Sequence, residues 1–260
     1  MSFSNKVVIV TGASSGIGAA TAKIFAKEKA KVVMVGRNTE KLKTVAEDIK
    51  KLSENDPLVI KADISIDAEA KGIIEKTITK YGKIDVLVNN AGIISYKNIF
   101  DEDFVKDFDR IMATNLRSAV VITHAAVPHL VKTKGNIVNV SSIASFLPYP
   151  TISAYVTSKA GLDHFSRSVA LQLAKDGVRV NLVNPGPVKT DINMNSLGIS
   201  KEECDKLYET TGFTTPLGKI SESEEVGDLI AYLASDKAKS ITGGICFVQK
   251  SILKKYIYRY

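Results

Sequence analysis

The chain has 260 residues, of which 45% are hydrophobic and 24% are charged, as expected for one large α/β domain rather than a disordered or membrane-spanning protein. Its net charge is +7, but residues 249–260 hold four cations and no acid, and without this tail the net charge falls to +3. No helix-turn-helix, zinc-finger or RNP pattern accompanies the charge, so we expect no nucleic-acid partner.

The cysteines and the N-terminus indicate the compartment. Cys204 and Cys246 are far apart in the sequence and no spacing typical of metal ligands is present, so we expect reduced thiols and no metal. No apolar run reaches the roughly 18–20 residues of a membrane helix. Residues 1–12 contain no apolar core of a signal peptide. We therefore expect a cytoplasmic protein with no membrane partner.

Short apolar runs alternate with longer amphipathic stretches along the chain. We predict seven strands, at residues 6–11, 31–36, 57–62, 84–90, 135–141, 178–184 and 243–248. Several are continuous runs of Val, Ile and Leu, as in parallel strands buried on both faces. Helical periodicity between them predicts a single-domain α/β protein, with a Rossmann-type doubly wound parallel sheet and helices on both faces.

The domain is expected to span residues 1–248, with an atypical basic tail at residues 249–260. Residues 189–221 contain no strand candidate and several glycines, so they are predicted to be an insertion with some helix. We expect this insertion to form the substrate loop.

The first strand runs directly into the sequence TGASSGIG, at residues 11–18. Glycines at this point allow a tight turn and a close approach to a pyrophosphate, and the helix that follows offers its free N–H groups to the phosphates. The spacing differs from the usual G-x-G-x-x-G, and such a turn can also be a plain strand-to-helix connection. Its position favours dinucleotide binding. The predicted ligands are Gly12, Ser14, Ser15, Gly16, Ile17 and Gly18.

The ends of the next three strands indicate which dinucleotide is bound. The second strand ends in Gly36-Arg37-Asn38, without the carboxylate that takes the ribose hydroxyls in NAD-binding proteins. Arg37 offers a guanidinium that suits a 2′-phosphate, although an ordinary surface arginine is the alternative. This favours NADP(H) over NAD(H). The further predicted cofactor ligands are Asn38, Asp63, Asn90, Ala91 and Gly92.

Four polar residues farther along can form a proton-transfer site: Asn115, Ser142, Tyr155 and Lys159. Tyr155 and Lys159 are spaced i, i+4, so they share one face of a helix. A nearby ammonium stabilises a phenolate, and we therefore expect the pKa of Tyr155 to be lowered from its ordinary value of about 10. Lys159 can also hold the nicotinamide ribose, Ser142 can bind the substrate oxygen, and Asn115 can hold a water that relays protons. Each residue alone also has an ordinary structural explanation.

In combination, these motifs resemble those of the short-chain dehydrogenase/reductase family over nearly the whole chain. The matching stretches are TGASSGIG, NNAG, Asn115, the thirteen-residue spacing from Ser142 to Tyr155, YVTSK and NPGPVKTD. The resemblance implies that Tyr155 is the acid/base, Lys159 its partner and ribose ligand, Ser142 the residue that polarises the substrate oxygen and Asn115 the water-relay residue. It further implies a segment that closes over the nicotinamide, formed by Pro185, Gly186, Val188 and Thr190.

The family also implies a homo-oligomer, commonly a tetramer packed through two long helices, here near residues 102–131 and 154–175. One departure concerns the C-terminus, where members often carry Asp-Gly-Gly after the last strand. Gln249-Lys250-Ser251 and a basic, tyrosine-rich end follow it here. This leaves the choice between tetramer and dimer open, and we expect the tail to fray.

Substrate selection is expected at residues 94–97, 143–149 and 189–215. The apolar residues there suit a lipophilic ketone such as a steroid, lipid or xenobiotic carbonyl. The alternative is that several of them simply pack the loop. They are Ile94, Tyr96, Phe146, Leu147, Tyr149, Met194, Leu197 and Phe213. The alternatives are a reductase of 3-oxoacyl groups on acyl carrier protein, whose acidic surface would suit the basic chain, and an NAD-dependent alcohol dehydrogenase. A non-catalytic nucleotide-binding protein is the least favoured, because all four catalytic residues are present.

Overall fold

The structure is a computed structural model and describes residues 1–212, Thr215 and residues 217–249. Seven parallel strands form one sheet in the order β3-β2-β1-β4-β5-β6-β7. The strands are β1 Val7–Thr11, β2 Lys31–Gly36, β3 Leu58–Lys61, β4 Val86–Asn89, β5 Asn136–Val140, β6 Arg179–Pro185 and β7 Ile245–Val248. All seven predicted strands are present, with ends that differ from the prediction by no more than about two residues.

Nine α-helices lie in the part of the chain that the structure describes. They are α1 Gly16–Lys27, α2 Thr39–Leu52, α3 Asp67–Tyr81, α4 Phe104–Met112, α5 Ser118–Thr133, α6 Ser153–Leu173, α7 Ile192–Leu197, α8 Lys201–Gly212 and α9 Ser223–Ala234. Helices α7 and α8 belong to the predicted insertion, which thus contains helix as expected. None of the helices among the described residues is long and apolar enough to span a membrane.

The core consists of two apolar clusters, one on each face of the sheet. Along β1, Val8 and Val10 face the cluster that contains α1, α2 and α9, whereas Val7 and Ile9 face the cluster that contains α3, α5 and α6. Because every side chain of β1 is buried, this strand needs a continuous apolar run, which is the pattern that predicted it. The doubly wound, single-domain prediction is confirmed.

The long helix predicted near residues 102–131 is interrupted. A π-helical turn at Ala113–Arg117 separates α4 from α5 and contains Asn115. In it, the amide of Ser118 donates to the Ala113 carbonyl, five residues back. The periodicity of the sequence did not reveal this turn, since a single widened turn is too short to show a period of its own. Such turns are frequent at functional sites.

Strand order reverses at β1, which has β2 on one side and β4 on the other. Helix α1, which follows β1, packs on one face of the sheet, and α5, in the connection that follows β4, packs on the other. A crevice therefore opens between the carboxyl ends of β1 and β4. The residues that follow the strands at this edge include TGASSGIG, Arg37, Asp63, NNAG and Ser142. The sheet topology therefore gathers the sequence motifs at one place.

Candidate active site

A cavity of about 930 Å³ lies along the carboxyl edge of the sheet. It is within the size range of ligand-binding pockets. Eighteen of the twenty predicted site residues line it: Gly12, Ser14, Ser15, Gly16, Ile17, Arg37, Asn38, Asp63, Asn90, Ala91, Gly92, Ser142, Tyr155, Lys159, Pro185, Gly186, Val188 and Thr190. Gly18 and Asn115 do not line it, and both lie directly behind the lining.

The glycine-rich turn is shaped by backbone requirements. Gly12 has φ +69° and Gly16 has φ +52°, and a Cβ on Gly12 would lie 2.9 Å from the Ala91 Cα. A Cβ on Gly18 would overlap the Gly12 carbonyl oxygen. Gly18 therefore lets α1 pack against the turn, and its contact with the cofactor stays a prediction.

The N-terminus of α1 is available to an anion. Ser15 occupies the N-cap position, yet its side chain makes no capping hydrogen bond. The first amides of a helix have no partners within the helix and carry a partial positive charge. Glycines that keep side chains away and free amides at a cavity together suit a pyrophosphate, so the residues present fit a dinucleotide.

Hydrogen bonds between side chains and main-chain groups join the ends of β1 and β4. Together with the glycine turn, these ends form what we call the dinucleotide end (residues 11–18 and 89–92). The Thr11 hydroxyl accepts hydrogen bonds from the amides of Asn90 at 3.0 Å and Ala91 at 3.1 Å. The Asn90 amide side chain donates to the Thr11 carbonyl at 2.9 Å. Asn90 therefore holds the turn together, a role that the sequence did not reveal.

Arg37 and Asp63 lie close together beyond β2 and β3. The Arg37 Nη1 atom is 3.7 Å from an Asp63 carboxylate oxygen, and the arginine side chain is largely exposed. Burial alone would raise the pKa of Asp63, but hydrogen bonds from Ser65 and the charge of Arg37 outweigh it, so the pKa is lowered. Asn38 caps α2, because its side-chain oxygen accepts a bond from the Lys41 amide at 2.9 Å.

Tyr155 and Lys159 lie on the same face of α6, as their spacing predicted. The Lys159 ammonium is 5.7 Å from the centre of the Tyr155 ring. It donates to the Val140 carbonyl at 2.9 Å, at the end of β5. The lysine is buried, with 3% of its surface exposed, whereas Tyr155 is partly open to the cavity. The pair is therefore built into the cavity wall.

The pKa expectation for Tyr155 is wrong for the site as described. Burial raises the pKa of Tyr155 to about 12, a hydrogen bond with Ser142 opposes the rise, and the nearby Tyr96 and Tyr149 add to it. The ammonium lies beside the ring and binds a main-chain carbonyl, so desolvation of the phenolate dominates. At neutral pH the phenol therefore keeps its proton.

The pKa of Lys159 is shifted in the opposite direction to that of Tyr155. Burial lowers the pKa of Lys159 to about 8, and the charge of Asp163 opposes this shift. Asp163 lies one turn farther along α6 and is itself buried. It accepts a 2.8 Å bond from the side chain of Asn184, which also donates to the Ser142 carbonyl at 3.1 Å. Asp163 and Asn184 thus join α6 to Ser142, and the sequence analysis missed both.

Asn115 is buried at the π-turn, with 2% of its surface exposed. Its side chain accepts from the Ile93 amide at 2.8 Å, and donates to the Ile93 carbonyl at 2.8 Å and to Ser158 at 3.1 Å. A Cβ on Gly92 would be 3.5 Å from both the Asn115 oxygen and the Lys159 ammonium. Asn115 therefore lies near the ammonium, and its side chain fixes the NNAG segment.

The predicted substrate residues divide into three groups. Ile94, Tyr96 and Tyr149 line the cavity. Phe146, Leu147, Met194 and Leu197 do not, and Phe146 instead packs against Phe247 with ring centres 5.2 Å apart. Phe213 lies outside the described residues. Apolar character alone could not separate cavity-lining residues from those that pack the loop.

Residues 189–212 contribute a more polar wall to the cavity than the sequence suggested. The lining residues of this segment that were not predicted are Asp191, Ile192, Asn193, Ser196, Leu207, Tyr208 and Thr211. The Tyr208 hydroxyl donates to the Thr190 carbonyl at 2.7 Å and accepts from the Thr190 amide at 3.3 Å. It thereby fixes the start of the loop.

The tail begins with an ordered contact. The side chain of Gln249 donates to the Lys219 carbonyl at 2.9 Å and to Ser221 at 3.2 Å. The amide of Gly186 also donates to the Val248 carbonyl at 2.7 Å. The prediction of a fraying tail otherwise concerns residues 250–260, which lie outside the described residues.

Fold and site together define a dinucleotide-binding oxidoreductase. The model of the family described as short chain dehydrogenase matches residues 6–198, and the chain belongs to this family. Its members bind nicotinamide cofactors. The family resemblance found in the motifs is thereby confirmed.

Three relatives show the breadth of the match. A 3-oxoacyl-[acyl-carrier-protein] reductase of Thermotoga maritima is 35% identical, over 94% of this chain and 96% of the relative. A cofactor-bound structure of a short-chain dehydrogenase/reductase of unknown function from Caenorhabditis elegans is 36% identical, with a TM-score of 0.89 and 95% of each chain covered. A 3-ketoacyl-(acyl-carrier-protein) reductase of Brucella melitensis, complexed with NADH, is 30% identical, with a TM-score of 0.85 and 96% and 98% covered.

Proposed function

We propose that the protein reduces a ketone with NADPH, and that Tyr155 donates the proton. The observation that carries the proposal is the arrangement of Tyr155, Lys159 and Ser142 at one wall of a cavity whose other end fits a dinucleotide. A bound nicotinamide would supply the hydride. The remaining work falls to side chains of this chain.

Ser142 and Tyr155 would position the substrate carbonyl. Ser142 and Tyr155 both line the cavity and interact with each other, so a carbonyl oxygen bound beside both hydroxyls can accept from both. Such donors stabilise the negative charge that develops on the oxygen. The raised pKa of Tyr155 keeps the phenol protonated at neutral pH, and an alkoxide is basic enough to take this proton. The site is therefore suited to reduction.

Lys159 would support the proton transfer once the phenol has lost its proton. With its pKa lowered to about 8, it is still mostly charged at pH 7 and stabilises the phenolate. It can also donate to the ribose that carries the nicotinamide. Asn115 would hold the NNAG segment in place. At the π-turn it would also bind a water that relays a proton back to Tyr155 by way of Lys159.

The NADP preference is supported by charge at the end of β2. Arg37 is exposed and lies at the cavity, and no carboxylate follows β2 until Glu40. Asp63 is nevertheless close to Arg37 and competes with a 2′-phosphate for it. Use of NAD(H) is the alternative, which is favoured by the NADH-bound relative from Brucella melitensis.

The substrate is proposed to be a lipophilic ketone, because Ile94, Tyr96 and Tyr149 line the same cavity as Tyr155. A 3-oxoacyl group on acyl carrier protein is the second candidate, which is favoured by the 35% identical reductase of Thermotoga maritima. We further propose that residues 1–248 act as one catalytic domain, that the protein is cytoplasmic, and that it assembles as a dimer or tetramer.

The test of the reaction compares the wild type with Tyr155→Phe on a panel of ketones. Oxidation of NADPH or NADH is measured as the loss of absorbance of the reduced nicotinamide. We expect NADPH oxidation with a ketone, and a loss of kcat of roughly 10²–10⁴-fold in the variant, because no side-chain acid then reaches the oxygen. Tyr232→Phe is a matched control, because the Tyr232 side chain is on the exposed face of α9. Full activity of Tyr155→Phe would remove the basis of the proposal, and a higher kcat/KM with NADH would favour the NAD alternative.

A further inference from the structure

An ion pair crosses the rim of the cavity between two distant parts of the chain. The Lys41 ammonium in the first turn of α2 lies 2.7 Å from a carboxylate oxygen of Asp191, which immediately precedes α7. Both residues line the cavity. The pair therefore joins the helix beside Arg37 to the start of the substrate loop.

The segment that carries Asp191 lies against the glycine-rich turn. The neighbouring Thr190 is so close to Gly16 that a Cβ on this glycine would be 3.0 Å from the Thr190 methyl carbon. The ion pair thus passes over the groove between the glycine turn and α2. This groove is where the adenosine half of a dinucleotide has to lie if its pyrophosphate is at the N-terminus of α1.

The charged groups at this end of the cavity form two ion pairs. Among the described lining residues the cations are Arg37, Lys41 and Lys159, and Lys159 is at the catalytic end. Arg37 is paired with Asp63 at 3.7 Å and Lys41 with Asp191 at 2.7 Å. A dianionic phosphate placed here would compete with both carboxylates for the two cations.

We infer that Lys41 is a second ligand of the cofactor's 2′-phosphate and that Asp191 competes with the phosphate for it. This inference rests on the proposed use of NADP(H). Lys41 is in the first turn of α2, where its main-chain amide donates to the capping side chain of Asn38. The backbone that carries the Lys41 side chain is therefore held in place. Because the competing carboxylate belongs to the substrate loop, the phosphate and the loop share one cation.

The experiment measures binding by calorimetry with two small probes. Adenosine 2′,5′-bisphosphate carries the 2′-phosphate and adenosine 5′-monophosphate lacks it, so the ratio of their affinities reports contacts to that phosphate alone. We compare the wild type with Lys41→Met, Asp191→Asn, Arg37→Met and Lys43→Met. Lys43 is the control, since it is on the same helix, pairs with Glu40 and does not line the cavity.

Lys41→Met is expected to weaken binding of the bisphosphate about fivefold, as for loss of one partly exposed charge pair. The affinity for the monophosphate should stay unchanged. Asp191→Asn is expected to tighten the bisphosphate by a similar factor, because it frees Lys41. Lys43→Met should change neither. In fluorescence titrations, each variant should change the ratio of the NADPH and NADH affinities in the same direction as the ratio for the two small probes.

The outcomes separate this inference from the proposed function. If Arg37→Met weakens the bisphosphate and Lys41→Met does not, Lys41 is not a phosphate ligand, although NADP(H) use stands. If Asp191→Asn leaves the bisphosphate unchanged or weakens it, the competition is refuted. If the wild type binds both probes equally, or neither Arg37 nor Lys41 matters, the inference and the NADP preference both fail.

Discussion

Side-chain bonds to main-chain groups hold the dinucleotide end of the cavity, whereas residues 189–212, the first part of the proposed substrate loop, are held in part by bonds between side chains. At the dinucleotide end, Thr11 and Asn90 bind each other's main chain, and glycines allow contacts that no side chain would permit. The loop depends on the Tyr208 hydroxyl, on Lys41 with Asp191, and on Tyr96 with Asn193 at 3.1 Å.

This difference has a chemical meaning. A pyrophosphate has the same shape in every dinucleotide, so a fixed backbone cradle can bind it. Substrates differ between relatives, and side chains on a loop can be exchanged without disturbing the sheet. We therefore expect substitutions at the two ends to differ in size and in kind.

The largest effect on stability is expected at the dinucleotide end. In Gly18→Ala the new methyl would overlap the Gly12 carbonyl oxygen and approach the Asn90 side chain, so we expect a loss of about 2–4 kcal/mol in the free energy of unfolding together with weaker cofactor binding. The measurement is urea unfolding with and without NADPH.

Gly72→Ala in α3 is the matched control, since nothing lies within 4 Å of its new Cβ. It should stabilise the protein by about 0.5–1 kcal/mol, because alanine is the better helix former. Equal effects of the two substitutions would contradict the idea that the turn is sterically fixed.

A smaller effect is expected from pH at the junction of the two regions, where Lys159 lies. Its pKa is lowered to about 8 in the folded chain from an ordinary 10.5, so the unfolded chain binds more protons between these values and stability must rise with pH there. Relative to Lys159→Met, the wild type should gain about 2 kcal/mol between pH 7.5 and pH 9.5.

Denaturant unfolding of both proteins without cofactor at the two pH values measures this difference. The raised pKa of Tyr155 is common to both proteins, and its contribution, a loss of stability, begins only as the unfolded tyrosine ionises near pH 10. If the difference between the two proteins is independent of pH, the ammonium is not desolvated as the structure indicates.

The smallest effect is expected in the substrate loop. Tyr208→Phe removes the hydroxyl that binds both polar groups of Thr190, which should cost about 1 kcal/mol of stability. Because Thr190 lines the cavity next to Gly16 rather than at Tyr155, KM should rise a few-fold while kcat changes little. Steady-state kinetics measure this, and a large fall of kcat with unchanged KM would mean that the loop acts on the chemistry.

Sequence reasoning succeeded where one residue type has one physical explanation. Short runs of Val and Ile such as β1 are typical of strands buried on both faces, and Gly12 and Gly16 of TGASSGIG have backbone angles that favour glycine. Tyr155 and Lys159 were correctly placed on one helical face because i, i+4 spacing fixes their direction. The same reasoning failed at Phe146 and Met194, since an apolar loop residue can face a cavity or pack against a neighbour equally well.

The sequence by itself determined the sheet, its helices and the residues that gather at its carboxyl edge, because periodicity and glycine positions are local properties. Tertiary structure alone decided the electrostatics. The pKa of Tyr155 rises rather than falls because burial outweighs an ammonium that binds the Val140 carbonyl, and Lys41 meets Asp191 only because the chain folds back across the groove. Desolvation and long-range pairing depend on what surrounds a charge in space, and the order of residues does not contain that information.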